Sequence, residues 1–206
     1  ATGDEISFNS GWVDQPPNEF DIKPIAMETV NKSAGTLKVA IFDDAVWIKI
    51  SGRANFTSSL GLKKIVAELW DRGFRKFVFE ISDCVLMDST FLGVMAGIGL
   101  QFGEANQRGE TCSVAIANPN ARIADLLENL GIAHLFKMIT SEQEMDGKFE
   151  SLSCNGDSAP RVEVTRNCLE AHKVLMGLNP ENVGKFKDVA QFLAEDLKKL
   201  EQTKAS

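Results

Sequence analysis

Histidine is almost missing from this chain, and that scarcity excludes much chemistry. Of 206 residues only 2 are His, namely His134 and His172, far apart in sequence. No HExxH pair, no GxSxG elbow and no Gly-rich loop ending in GK[ST] occurs, so the marks of a zinc protease, an α/β-hydrolase and a P-loop enzyme are absent. The 4 cysteines, Cys84, Cys112, Cys154 and Cys168, are scattered and form no CxxC pair. Metal-ligand spacing is therefore lacking, and neither a metal nor a disulfide is expected of them. Cys84 and Cys112 lie in apolar runs and read as small buried hydrophobes. No apolar run approaches the ~20 residues that cross a bilayer. The amino-terminal ATGDEISFNSGW is polar and acidic, without the basic and apolar regions of a signal peptide, so a cytoplasmic location is the expectation. Basic residues are outnumbered, 22 Lys and Arg against 29 Asp and Glu, for a net charge of −7. Such a surface repels phosphate backbones, so no nucleic-acid partner is expected.

What is present suffices for a globular protein. Hydrophobic residues make up 44% of the chain, enough for a full core. Residues 1–34 carry Pro16, Pro17 and Pro24 among polar residues and read as an irregular arm in which Trp12, Phe20 and Ile25 are candidates for surface docking. Residues 35–147 form the main domain, 148–161 a linker and 162–206 a helical hairpin.

Within the main domain strand and helix signals alternate. TLKVAIF over 36–42 and AVWIKIS over 45–51 predict a β-hairpin around Asp43-Asp44, closed by Gly52. An amphipathic helix follows over 57–72, with Leu60, Ile65, Leu69 and Trp70 on one face and Gly73 behind it. KFVFEI over 76–81 is a strand. A helix runs from Asp88 to about Gln107, TCSVAIA over 111–117 is a strand, and Ala121–Leu130 is a helix closed by Gly131. HLFKMI over 134–139 makes a last short edge strand. This order is that of an α/β layer architecture, and the opening hairpin makes its sheet mixed.

The carboxy-terminal hairpin has one helix over 165–176, stopped by Gly177, and a second opened by Asn179-Pro180-Glu181. The second helix sets Phe186, Val189, Ala190, Leu193 and Leu197 on one side. Alone, such a hairpin leaves an apolar face wet. It must pack on the main domain, on a second copy as a homodimer, or on a partner.

The segment VLMDSTFLGV over 85–94 carries the chemistry. Asp88 is a good N-cap. It places Ser89 and Thr90 in the first helical turn, where backbone N–H groups lack internal partners. A hydroxyl there reads as exposed and within a kinase's reach, and its phosphate would meet the positive end of the helix dipole. A bland alternative is that Asp88-Ser89-Thr90 merely caps a helix. The glycines at 93, 97, 99 and 103 weaken the helix but allow close approach to a sheet or partner. Trp47 and Trp70 read as core residues, and the two histidines as surface or packing residues.

From the 36–42 strand to about Met145 the chain resembles the STAS domain family, in particular bacterial anti-sigma-factor antagonists. VWIKISGRAN, FVFEISDCVLMDSTFLGV, SVAIANPN and ARIADLLENLGIAHLFKMI carry the likeness, in the family's order over roughly 110 residues. The resemblance implies a mixed sheet of four to five strands with helices mainly on one face, and no cofactor. It makes Ser89 the phosphorylation site, with Thr90 as neighbour or second acceptor. Asp88 would present the serine, and Asn55 falls where the family often has an acid in the loop near it. Asn55, Asp88, Ser89, Thr90 and Phe91 become the partner-binding set. Phe91 replaces the family's glycine, which puts a ring near the switch, in the core or offered to a partner. The implied partners are an anti-sigma factor that is also a serine kinase of the GHKL type, and a metal-dependent serine phosphatase. Unphosphorylated protein would bind the former and phosphorylation would break the complex.

Two other readings remain. A STAS adaptor or scaffold subunit, in a signalling complex or beside a transporter, would use Ser89 only as part of a cap. An enzyme would require Ser89 within hydrogen-bond reach of His134 or His172.

Overall fold

Period-two alternation in the central strands sorts their side chains onto two faces. Val46, Ile48 and Ile50 face one way and Trp47 the other; Phe77 and Phe79 oppose Val78; Val114 and Ile116 oppose Ala115 and Ala117. The bulkier set forms the main core with the helices, so the helices cover one face of the sheet. The protein is described by a computed structural model over residues 35–42, 44–141, 149–151 and 159–204. The amino-terminal arm, Asp43, Cys154 and most of the linker lie outside the described residues.

Strands β1 (Thr36–Phe42) and β2 (Ala45–Ala54) form the antiparallel hairpin, with Thr36 opposite Ser51 and Phe42 opposite Ala45. Parallel to β2 runs β3 (Lys76–Glu80); beyond it lie β5 (Ser113–Ala117) and β6 (Lys137–Ile139), also parallel. A short β4 (Cys84–Met87) extends the far end of β2, and β7 (Glu150–Ser151) adds to β1. The sheet order is β6-β5-β3-β2-β1-β7, with β4 on β2. Helices α1 (Phe56–Asp71), α2 (Ser89–Gln107) and α3 (Ala121–Asn129) make the crossovers between parallel strands. The expected α/β mixed sheet is thus present.

Three local expectations change. Gly52, at φ 75°, does not close β2; the register shifts between Gly52 and Arg53 and the strand continues to pair with β4. That shift is a bulge, which bends the strand toward the new neighbour. The apolar run before Asp88 is itself the strand β4. Gly177 does not end its helix: α4 spans Arg161–Leu178 and stops at Asn179, whose extended backbone leaves the helical path.

Helix α5 (Glu181–Lys204) returns along α4 after a turn in which the Asn179 side chain accepts from the Glu181 N–H at 3.0 Å. The α4 half of the hairpin is not left wet, whereas Val183, Val189 and Phe192 of α5 stay exposed. Ala171 and Leu175 of α4 are buried in the main core, with Val174, Leu178 and Phe186 packed against it. At the turn, fully buried Asn182 donates to the carbonyls of Leu130 (3.0 Å) and Leu175 (2.9 Å), tying the hairpin to the end of α3. Gly131, at φ 70°, lets the chain turn there beneath the Asn179 side chain. The main domain is therefore the surface on which α4 packs.

Candidate functional site

The first turns of α1 and α2 are built side by side by their caps. Asn55 Oδ1 accepts from the Thr57 and Ser58 N–H groups at 3.1 and 3.2 Å, while the Asn55 N–H donates to Ser58 Oγ at 3.0 Å. This reciprocal capping box satisfies donors that the start of α1 would otherwise leave open. Asp88 does the same for α2 and reaches further. Its Oδ1 accepts from the Phe91 N–H at 2.8 Å and its Oδ2 from the Phe56 N–H, also at 2.8 Å. One carboxylate thus joins two helix N-termini, whose partial positive charge suits it. Asn55 and Asp88, 33 positions apart in sequence by subtraction, meet at one spot.

Ser89 is the first residue of α2 and is half-buried. Its hydroxyl is not free. Ser89 Oγ lies 3.0 Å from His172 Nε2, and His172 Nδ1 lies 2.7 Å from the Cys168 carbonyl oxygen one turn earlier in α4. A carbonyl can only accept, so Nδ1 carries the proton; in the neutral ring Nε2 then accepts and Ser89 donates. The ring is 5% exposed and is backed edge-on by Phe186, with centroids 5.2 Å apart. The expectation of an openly reachable hydroxyl therefore does not hold in this arrangement. Its physical reason is the hairpin, which had no assigned docking place in the sequence reading and lies over the site.

The remaining predicted residues are brought to the same place but point inward. Thr90 is 5% exposed and its hydroxyl lies toward the Cys168 thiol, whose pKa it lowers against the larger rise from burial. Phe91 is 0% exposed and belongs to the main core. Of the two places open to that ring, it takes the core. His134 is exposed in a 3-10 turn over Ala133–Leu135 and has no part in the site.

Further contacts continue the α4 interface. Asn167 Nδ2 donates to Ser59 Oγ at 2.9 Å, and that hydroxyl donates to the Phe56 carbonyl at 2.7 Å. At Gly93 the helices touch by backbone: a Cβ there would lie 2.4 Å from the Ala171 carbonyl oxygen. Lys63–Glu170 and Lys64–Glu163 pair across the exposed rim, where ion pairs contribute little. Burial raises the Cys168 thiol pKa, against the Thr90 hydrogen bond, and the Asp88 charge adds to the rise. Such a thiol is a poor nucleophile.

The imidazole meets the distance requirement for a base beside Ser89, and the Cys168 carbonyl orients it. A reacting group must still reach Oγ. The groove between α1, α2 and α4 is lined by Lys63, Gly97, Gln101, Glu170 and Val174 among others, and neither Ser89 nor His172 lines it. Among the described residues no cluster of three or more His, Cys, Asp or Glu is arranged to hold a metal. Among them, too, no helix is long and apolar enough to cross a membrane.

Sequence reasoning missed Asn167 and Cys168, and set His172 beside Ser89 only as the condition of the enzyme reading, which the 3.0 Å distance meets. A signal existed: Asn167 and His172 interrupt the stripe Val164, Cys168, Leu169, Ala171, Leu175 at helical spacing. Polar side chains on a buried stripe require polar partners, and those partners proved to be Ser59 and Ser89.

Among curated proteins none matches the sequence. Among solved structures, "Structure of the Anti-Sigma Factor Antagonist SpoIIAA in its Unphosphorylated Form" is 14% identical, with TM-score 0.45, over 53% of this chain and 91% of that one. "NMR Structure of the protein TM1081" is 20% identical, with TM-score 0.46, over 62% of this chain and 95% of that one. The phosphorylated form of the Bacillus cell fate determinant SpoIIAA is 14% identical, with TM-score 0.41, over 53% of this chain and 95% of that one. The family described as "STAS domain" matches residues 36–145, which is more than half of the chain and contains β1 through β6 with α1, α2 and α3. On that match, the chain belongs to the STAS domain family.

Proposed function

We propose that this protein is a phosphorylation-switched protein-binding regulator of the anti-sigma-factor-antagonist type. Its partner is an anti-sigma factor that is also a serine kinase of the GHKL type, bound when Ser89 carries no phosphate; a metal-dependent serine phosphatase resets it. The observation that carries this reading is the position of Ser89 as the first residue of α2, directly after its N-cap Asp88, in a STAS domain. A phosphate there meets the N-terminal end of a 19-residue helix, which favours an anion. Its charge of about −2 would also sit beside the Asp88 carboxylate, at the junction of two helix starts. Asn55 and Asp88 shape the partner-facing surface as caps, and Thr90 and Phe91 act by holding the first turn of α2 in place.

A non-switching STAS adaptor is the second reading. The Ser89–His172 hydrogen bond favours it, because it gives the hydroxyl a structural task. The readings separate on incubation with GHKL-type serine kinases from the source cell and ATP, followed by phosphopeptide mass spectrometry. Phosphate on Ser89, lost in Ser89→Ala, supports the switch. A chain left unmodified both as wild type and in a variant with α4 loosened, Gly93→Ala, makes it an adaptor.

A further inference from the structure

We infer that α4 and a phosphate on Ser89 exclude each other, so that the hairpin is a built-in occupant of the very surface a partner would use. The inference rests on the reading of Ser89 as a modified residue, and it adds a consequence: modification opens the protein rather than only recharging a surface.

Ser89 is half-buried, and on the side where α4 docks the geometry leaves no place for a phosphoryl group. His172 Nε2 stands 3.0 Å from Ser89 Oγ, a distance that a phosphorus and its three outer oxygens must fill. The ring cannot rotate aside without losing its 2.7 Å bond to the Cys168 carbonyl, and Phe186 backs it from behind. A sideways shift of α4 that keeps it docked is limited one turn along, where Gly93 and Ala171 already stand so close that a Cβ on Gly93 would lie 2.4 Å from the Ala171 carbonyl oxygen. Protonation of His172 would supply one positive charge, and the Asp88 carboxylate beside the site opposes the dianion. A relaxed phosphoserine therefore needs α4 to move away.

The same geometry governs the transfer step. A kinase transfers the γ-phosphoryl group of ATP to Oγ: the Oγ–P bond forms, the bond to the ADP oxygen breaks, and the hydroxyl proton goes to a base. Incoming phosphorus needs an open approach to Oγ. In the docked state α4 engages the Ser89 hydroxyl through His172, so transfer draws mainly on the population with α4 undocked. Once phosphate is in place, return of α4 is opposed, and the same phosphate keeps the partner of the proposed function off the α1–α2 face. That face receives a helix with a small residue at the crossing, as Ala171 is, flanked by polar groups that reach Ser59 and Ser89.

The test uses the full chain with phosphoserine installed at position 89 by codon reassignment, so no cognate kinase is needed. Two readouts are taken together: alkylation of Cys168, resolved by peptide mass spectrometry, and amide hydrogen exchange of α4 against β3 and β5. The expected result is a rise of at least about tenfold in Cys168 alkylation and in α4 exchange, with β3 and β5 still protected. Ser89→Ala, which adds no volume and loses only the hydrogen bond to His172, should give a rise of no more than about fivefold, and Ser89→Asp, with a smaller anion than phosphate, a rise between the two. Unchanged Cys168 protection in the phosphoserine chain overturns the inference. Loss of protection across the sheet as well as α4 also overturns it, since the conflict would then be with the fold and not with the hairpin. Failure of every kinase to modify Ser89 would instead sink the proposed function and leave this steric result standing.

Discussion

Gly93→Ala separates the packing of α4 from everything else α2 does. In an exposed helix the change should stabilise by about 1 kcal/mol, because Ala is the better helix former. Here the new methyl would meet the Ala171 carbonyl oxygen at 2.4 Å, its carbon at 2.7 Å and the Ala171 Cβ at 2.8 Å. Two of those three atoms are backbone, so no rotamer change relieves the contact. Ordinary van der Waals contact needs about 1 Å more, and wedging a packed interface by that much costs roughly 1–3 kcal/mol. The control lies on the same helix one turn on. A methyl at Gly97 finds its nearest neighbour, Val174 Cγ2, at 4.0 Å, so Gly97→Ala should show the propensity gain alone. The propensity gain is common to both, so Gly93→Ala should be less stable than Gly97→Ala by roughly 1–3 kcal/mol. In a chain of this size that is a gap of at least about 2 °C in melting temperature. Differential scanning calorimetry measures the gap, and Cys168 alkylation locates it, rising only in Gly93→Ala. Equal stability of the two variants would refute the helix crossing on which the α4 argument rests.

Asp88→Ala removes the acceptor for two backbone donors, those of Phe56 and Phe91, and should cost about 2 kcal/mol by urea unfolding. Asn182→Ala strips the Leu130 and Leu175 carbonyls of a buried donor, and a loss of about 2–3 kcal/mol is expected in the same assay. Removing residues 151–206 should bare the core-facing side of α2 and give an aggregating or self-associating product in light scattering; a monomeric chain of wild-type stability would show that α4 is not part of the core. Alkali should destabilise the fold through its thiols. Burial raises Cys84 and Cys168 above the unfolded value, so their contribution is complete below the ordinary thiol range and is lost as pH rises through the folded value. Urea midpoints should fall across that alkaline interval, and less so in Cys84→Ala measured against its own neutral value.

The central strands and crossover helices were legible in the sequence because their signals are local. Alternation in 36–42 and 45–51, aromatic and β-branched density in 76–80, and caps at Asn120 and Asp88 each speak for one element. Ser89 and Asp88 were legible for the same reason, since a cap and the residue after it are neighbours in the chain. The site's other half was not. His172 lies 83 positions from Ser89, on a helix whose docking surface no local pattern names. Gly177 misled for a related reason: a glycine stops a helix only where the chain turns, and α4 continues one residue more because its packed side holds it. Phe91 could not be oriented from sequence either, because a first-turn residue is core or surface according to what the helix is laid upon.

The composition of the α4 interface explains how one contact can hold and still release. A helix fixed to a core by large side chains alone would need those side chains exposed to water whenever it lifted. Here the crossing point is Gly93 on Ala171, and the flanking contacts are serine to histidine and serine to asparagine. Each such hydrogen bond contributes only about 1 kcal/mol net, because water replaces it on release. Ala171 and Leu175 supply the apolar part, while Asn182 ties the turn at the far end to the Leu130 carbonyl. Lifting α4 from its Ser89 end thus rehydrates polar groups first and leaves the anchor near α3 for last. A phosphate at Ser89 acts on the end that opens most cheaply, which is where a single added group has the most leverage on the hairpin.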